Sequence, residues 1–528
     1  MYDCFLKRNE AYKKPLILQT ALFINLPSMK RYITHLLMLF AIATSITAIA
    51  QNPKREFRGA WMHTVGQGQY ARMTTDQNKA YLRNQLDSLQ MAGINAILWQ
   101  VRPKADAFYA SNLEPWSVYL TGEFGKTPNP YWDPLQFMIT ECHNRGMELH
   151  AWLNPYRVTN TKGEVKKLAP GHIYHKHPEW FVQYGGQTYF DPALPQCREF
   201  ICAVVRDIIS RYDVDAIHMD DYFYPYPTKD EFPDDKSYAT YGNGMDRGDW
   251  RRQNVDLLIE GLHNVISKEK PWVRLGISPF GVWRNKSSDP RGSETNALQN
   301  YDALYADVLK WTEKGWVDYM VPQLYWELDH KRAPSRTLNT WWNDNANGRH
   351  MYIGQSVETT MKTPDTDSGD ANELAHKIAI TRSLPNIQGN CWWPGYSITR
   401  NSRGVADSLA TKHQSTIALV PAYPWLDDVA PDEVSNLRSA KVNGKNILTW
   451  KQPATDDPMQ KAKAYVVYRF DAKSEIDLNN AAAIQAVTPQ CQYIVPEGTP
   501  RGKYHFVVTV LDRVNNESAI GRAVTVKL

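Results

Sequence analysis

"AIHMDDYFYPYPTKDEF", residues 216–232, begins as a short apolar run, stops on two adjacent aspartates, and continues into aromatics and prolines that no regular element can hold. A buried strand that ends on acids is the mark of a sheet whose strand ends carry chemistry. Seven further runs read the same way: "FRGAWM" (57–62), "NAILWQV" (95–101), "MELHAWL" (147–153), "VRLGIS" (273–278), "VDYMVPQLY" (317–325), "MYIGQ" (351–355) and "GNCWW" (389–393). Helix-like stretches separate them. In 77–93, Leu82, Leu86 and Leu89 recur at helical spacing before a glycine, and 133–146 opens on Asp-Pro and closes on a glycine. Eight strands alternating with helices predict a parallel sheet closed as a (β/α)8 TIM-like barrel, with its active site at the C-terminal strand ends. An open doubly wound sheet is the rival, but no glycine-rich phosphate loop follows the first strand.

Strand alternation then sorts the candidate residues. In the fourth strand Ile217 and Met219 should face the helices, so His218 and Asp220 point into the barrel, and Asp221 begins the loop. The same rule places Gln100 and Arg102 on one face of the second strand, and His150, Trp152 and Asn154 on one face of the third. It places Arg274 and Ser278 inward on the fifth, and Gln323, Tyr325 and Glu327 on the sixth if that strand stays extended. Buried, mutually satisfied polar residues are the competing reading; it fits early positions such as His150 better than late ones.

Glycoside hydrolysis needs two carboxyl groups at the scissile bond. Asp220, Asp221 and Glu327 are the catalytic candidates, with Asp106 and Glu114 in the loop after the second strand as further acids. Asp220 is expected to act as nucleophile or base, with Arg102 as its cationic donor. Burial among Trp99, Trp116, Tyr222 and Trp326 could hold one carboxyl protonated, and which one is the acid stays open. Tyr156 and Arg157, after Asn154, and Tyr325 complete the expected sugar-contacting set with His218, Ser278 and Gln323. His63, His143, His150 and His218 show no metal-ligand spacing, so neither metal nor cofactor is expected.

The chain has 528 residues, 43% of them hydrophobic, with 18 Trp and 29 Tyr. That is enough for a large core and a second domain. "MKRYITHLLMLFAIATSITAIA" (29–50) reads as an export signal ending in Ala-Ile-Ala, and 1–28 as an upstream extension. The net charge is +4, and residues 1–50 hold six Lys/Arg against two Asp/Glu. The remainder is therefore near neutral, which disfavours a nucleic-acid partner. No membrane span is expected in the mature protein, which should be periplasmic, envelope-bound or secreted. Beyond Cys4, five cysteines without a C-x-x-C pair argue against a disulfide framework or zinc site. Proline and acid residues at 421–431 mark a linker between a barrel at 55–420 and a β-rich stretch at 432–528. The latter's single Trp450 and "YVVYRF" resemble a fibronectin type III sandwich.

Three long motifs, "FRGAWMHTV", "INAILWQVRPKADAFYASNLEPWSVYLTGEFGKTPNPYWDPLQFMITECHNRGMELHAWLNPYRV" and "DAIHMDDYFYPYP", occur in order. Together they resemble the glycosyl-hydrolase-like 10 domain over roughly 55–370. The resemblance implies a secreted or envelope barrel glycosidase of bacteria that acts on peptidoglycan glycan strands stripped of their stem peptides. Two other readings remain: a non-catalytic carbohydrate-binding barrel, and a hydrolase of a dietary or host polysaccharide.

Overall fold

Eight parallel strands close on themselves in chain order: β1 (Phe57–Met62), β2 (Ala96–Arg102), β3 (Glu148–Leu153), β4 (Ala216–Met219), β5 (Arg274–Ile277), β6 (Tyr319–Met320), β7 (His350–Ser356) and β8 (Ile387–Trp393), with β8 pairing back onto β1. The structure is a computed structural model and describes residues 52–221 and 223–528. The expected export signal, the stretch before it and Tyr222 lie outside the described residues. Among those described, no helix is long and apolar enough to cross a membrane, and Cys142, Cys197, Cys202, Cys391 and Cys491 are all free.

Each predicted strand is present. The sixth is much shorter than its sequence run, with two ladder residues before Val321 and Pro322. Proline has no N–H to give the ladder, and beyond it Gln323 makes only isolated bridges to Phe280 and Gly354. A hairpin in the loop after β3, Phe181–Tyr184 with Gln187–Phe190, was not anticipated.

Local chemistry sets the helices. Thr75–Met91 begins from a capping box between Thr74 and Gln77 and buries Leu82, Leu86 and Leu89. Pro134–His143 starts from Asp133, whose carboxylate accepts from the N–H groups of Leu135 and Gln136.

Alternation holds in β4 and β5. Ile217, Met219, Val273, Leu275 and Ile277 join the core between sheet and helices. Phe57, Trp61, Ala96, Leu98, Trp152, Ala216, Tyr319, Tyr352 and Cys391 fill the barrel. Gly276 pairs with Tyr319, and a Cβ there would lie 1.9 Å from the tyrosine ring. A glycine on β5 is therefore what lets a tyrosine cross the barrel.

After Pro421 two antiparallel sheets follow, one of Ser435–Val442, Lys445–Lys451 and Gln492–Ile494, the other of Ala464–Asp471, Ile484–Thr488, Lys503–Leu511 and Val524–Lys527. Trp450, Tyr465, Val467, Phe506, Val508 and Val510 form their shared core.

This module reaches the barrel floor. Lys463 Nζ lies 2.5 Å from Glu148 Oε1 and 2.8 Å from Asp215 Oδ1. Asn515 Nδ2 donates to the same Glu148 oxygen at 3.0 Å, and Arg274 pairs with Glu148 Oε2 at 2.5 Å. The cations overcome burial and hold both carboxyls well below the usual carboxylate range. Lys463→Met should thus cost about 3 kcal/mol of stability at pH 7, because it strips a partner from buried charges. A group whose folded pKa is depressed stabilises above its unfolded pKa, so the loss should shrink as pH falls below about 4. Thermal melts of the variant and the wild type at pH 7 and at about pH 2.5 measure both effects. Truncation before residue 432 removes Lys463 and Asn515 together and is expected to destabilise the barrel, whereas the linker pattern in the sequence implies a dispensable module.

Candidate active site

The acids of the opening stretch stand at the C-terminal end of β4, where the barrel opens. Asp220 is 3% exposed and Asp221 4%. Asp220 is held from β3: Trp152 Nε1 donates to Oδ2 at 3.3 Å, and Asn154 Nδ2 approaches both oxygens at 3.2 and 3.3 Å. Asn154 in turn accepts the Arg157 N–H through Oδ1 at 3.0 Å. Asp221 faces the opposite flank, where the Tyr226 hydroxyl donates to Oδ2 and the Gln323 amide lies within reach. The two carboxyls therefore splay toward different walls of the mouth.

Burial raises the pKa of Asp220 to about 7, and the negative charge of Asp221 adds to the rise. Arg157, Trp152 and Asn154 offset only part of it. Burial also raises Asp221, against the pull of Tyr226, Gln323 and Arg157. Burial thus favours the neutral form of both carboxyls, and the charge of Asp221 adds to the rise at Asp220.

A folded-state pKa above the unfolded value means the native state binds the extra proton, so this group's contribution is lost as pH rises through about 7. Asp220→Asn should accordingly melt at a higher temperature than the wild type at pH 8 and at nearly the same temperature at pH 4. Differential scanning calorimetry at the two pH values checks this.

His218 points into the barrel below the acids and is wholly buried. Its Nε2 accepts from Trp61 Nε1 at 3.2 Å, with Ser278 Oγ 3.1 Å away and within reach of the Met219 carbonyl at 3.4 Å. Indole can only donate, so the His218 proton sits on Nδ1 and goes to Tyr319 Oη at 3.1 Å. Tyr319 then donates to His150 Nδ1 at 2.7 Å, and His150 Nε2 to Glu148 Oε2 at 2.9 Å. Burial pushes His218 well below its ordinary pKa. It is a neutral strut of a polar column that runs from Trp61 to the floor, as is Ser278.

Arg102 does not reach Asp220. The β2–β3 register shifts between Gln100 and Arg102, and a bulge of this kind re-aims the side chains beyond it. The guanidinium forms a bidentate pair with Glu114 at 2.7 and 2.6 Å and also donates to the carbonyls of Asn154 and Pro155. The same pair removes Glu114 as an acid, since both its oxygens are taken. Trp99 and Tyr156 face the helices, fully buried in the outer core, and do not line the mouth.

Trp116 is half-buried and meets Tyr131 edge to face. Trp326 is half-buried and packs on Phe280. Glu327 is half-buried in the irregular chain after β6, where alternation no longer applies. Its charge acts on Lys377, and it is not among the groups that act most on Asp220 or Asp221. Asp106 is buried, and burial raises its pKa to about 6. One of its oxygens accepts the Lys104 N–H at 3.2 Å, and Oδ2 has no hydrogen-bond partner.

Trp61 and Trp393, which the sequence reading passed over, pack against two residues it had placed: Trp61 meets Tyr325 edge to face at 6.4 Å, and Trp393 meets Trp152 in the same way at 6.1 Å. Period-two counting along "FRGAWM" would have turned Trp61 inward with Phe57. Tyr226 had no such signal, because it lies in an irregular proline-rich loop. Among the described residues, Asp365, Asp367 and His376 are the one cluster with metal-ligand proximity. Arg336 already pairs with Asp367 at 2.6 Å and faces His376 Nε2 at 3.2 Å, which puts a guanidinium where a metal ion would compete.

Residues 56–368 match the family model described as "Glycosyl hydrolase-like 10". The chain belongs to this family. Glycosyl hydrolase YngK of Bacillus subtilis (strain 168) is 38% identical over 510 residues, spanning 94% of this chain and 99% of that protein. That coverage leaves too few residues unmatched to omit the C-terminal sheets. Glycosyl hydrolase DigH of Escherichia coli (strain K12) is 36% identical over 368 residues, 65% of this chain and 83% of its own. Among solved structures, the glycoside hydrolase domain of PgaB (BpsB) from Bordetella bronchiseptica superposes with a TM-score of 0.45 at 13% identity, over 68% of this chain and 99% of that one. As a member of the glycosyl hydrolase-like 10 family with homologues so named, the chain is a glycosidase.

Proposed function

We propose that this glycosidase cleaves a bacterial envelope glycan, namely peptidoglycan strands stripped of their stem peptides, with Asp220 as the general acid and Asp221 as its ionised neighbour. The observation that carries the assignment is the Asp220 carboxyl: buried at the strand end, held by Trp152 and Asn154, and pushed up to about 7 by burial and by the charge of Asp221. A general acid must hold its proton at working pH and release it to the leaving oxygen in the transition state. Burial and the adjacent charge of Asp221 disfavour the ionised form that a nucleophile needs, which turns the assignment from the nucleophile or base expected from the sequence to the acid. The half-buried rings of Tyr325 and Trp393 offer stacking faces for sugar rings. The resemblance of the three motifs to a family that acts on denuded strands favours that glycan over a dietary polysaccharide.

Export through residues 29–50 and a fibronectin type III-like identity for 432–528 belong to the same reading. The protein lacking residues 1–50 should release soluble saccharides with new reducing ends from denuded strands and leave neutral polysaccharides intact. Binding to the strands without release would instead favour a carbohydrate-binding barrel, and release from a neutral polysaccharide alone would move the substrate elsewhere.

A further inference from the structure

Retaining hydrolysis by two protein carboxyls requires that they approach the scissile bond from opposite faces of the sugar, about 5–5.5 Å apart. Asp220 and Asp221 are consecutive residues, their Cα atoms about 3.8 Å apart, so both carboxyls are delivered from the one strand end of β4, although their hydrogen-bond partners lie on different flanks. A facing carboxylate would have to come from elsewhere. Glu114 has both oxygens on Arg102, and Glu327 acts on Lys377. Asp106 keeps one buried, unbonded oxygen, but it is tied to Lys104 and Ser117 and is not among the groups that act most on Asp220 or Asp221.

Asp221 is instead placed as a fixed acceptor: the Tyr226 hydroxyl holds Oδ2, and it lies across from the Asp220 carboxyl that Trp152 and Asn154 fix. An acid beside a second carboxyl fixed as an acceptor, both delivered from one strand end, matches the needs of a substrate that brings its own nucleophile. From this arrangement we propose that the substrate sugar at the cleaved bond carries a 2-acetamido group, and that this group, oriented by Asp221, is the nucleophile. The inference rests on the glycosidase reading with Asp220 as acid.

The electron movements close without another reactant. The acetamido carbonyl oxygen bonds to C1 as the C1–O glycosidic bond breaks, its electron pair goes to the leaving oxygen, and that oxygen takes the Asp220 proton. The resulting oxazolinium keeps its N–H on the Asp221 carboxylate, which stabilises the positive charge. Water then bonds to C1, the oxazoline C1–O bond breaks to restore the acetamide, and the water proton returns to Asp220. The sugar leaves with its anomeric configuration retained.

The test uses the chain from residue 51 onward and denuded strands of alternating N-acetylglucosamine and N-acetylmuramic acid. The anomeric outcome is followed by NMR, the thiazoline analogue of N-acetylglucosamine serves as inhibitor, and a 2-deoxy-2-fluoro glycoside serves as trap. Expected are retention, competitive inhibition by the thiazoline, and a fall in kcat of at least 100-fold on chemically de-N-acetylated strands. Asp221→Asn should lower kcat and thiazoline affinity together, and no covalent adduct should form. Inversion, undiminished cleavage of de-N-acetylated strands, or a fluoro-sugar adduct on Asp106 or Asp221 would overturn the inference and leave the glycosidase reading standing. Failure to cleave any glycan would instead count against the glycosidase reading itself.

Discussion

Asp220→Asn is expected to lower kcat on denuded glycan strands by about 10²–10⁴-fold, the range a positioned general acid supplies. Substrate affinity should change little, because asparagine keeps the shape and still meets Trp152 and Asn154. The wild-type pH profile carries the same information. Activity needs Asp220 protonated, so kcat should fall as pH rises through about 7. Its acid limb should report the Asp221 carboxyl, which must be ionised. Asn154→Ala removes the amide that approaches both Asp220 oxygens. It should move the alkaline limb upward, because hydrogen bonds that favour the ionised carboxylate are lost. Steady-state kinetics from pH 4 to pH 9 read all three effects.

Glu114→Gln should destabilise the barrel by about 3–5 kcal/mol, the cost of leaving a buried guanidinium without its counter-charge. Both side chains of the pair are 1% exposed, so water cannot replace the lost partner. Arg102→Met combined with Glu114→Leu should cost much less than Glu114→Gln, since no unpaired charge remains. Arg102→Lys should also destabilise, because a point charge cannot span two carboxylate oxygens and the Asn154 and Pro155 carbonyls at once. Its effect on activity should be indirect, through the chain that positions Asn154 against Asp220. Chemical denaturation of the four proteins checks the order.

The contrast between β4 and β2 shows what the sequence made legible. In β4 and β5 hydrophobic alternation runs unbroken, so the faces of His218, Met219 and Ser278 could be counted off. In β2 the count is correct through Gln100 and fails at Arg102, because a bulge has no signature in residue type. The sixth run lost its alternation after Pro322, which left Glu327 without the inward position its spacing implied. Asp220 and Asp221 were visible as a pair at a strand end. Their division of labour was not, since it depends on which donors surround each carboxyl: Trp152 and Asn154 for one, Tyr226 for the other. The fastening of the C-terminal sheets to the barrel floor was equally hidden, because Lys463 and Glu148 are remote in sequence and neither lies in a motif.

The central claim is that Asp220 gives its proton to the leaving oxygen. The most direct test compares Asp220→Asn with the wild type on denuded glycan strands and on the 2,4-dinitrophenyl glycoside of the same sugar, whose leaving group departs without a proton. The account predicts a loss of about 10²–10⁴-fold on the strands and a rate within about tenfold of wild type on the aryl glycoside. Equal losses on the two substrates would contradict it and return Asp220 to the role of nucleophile or base.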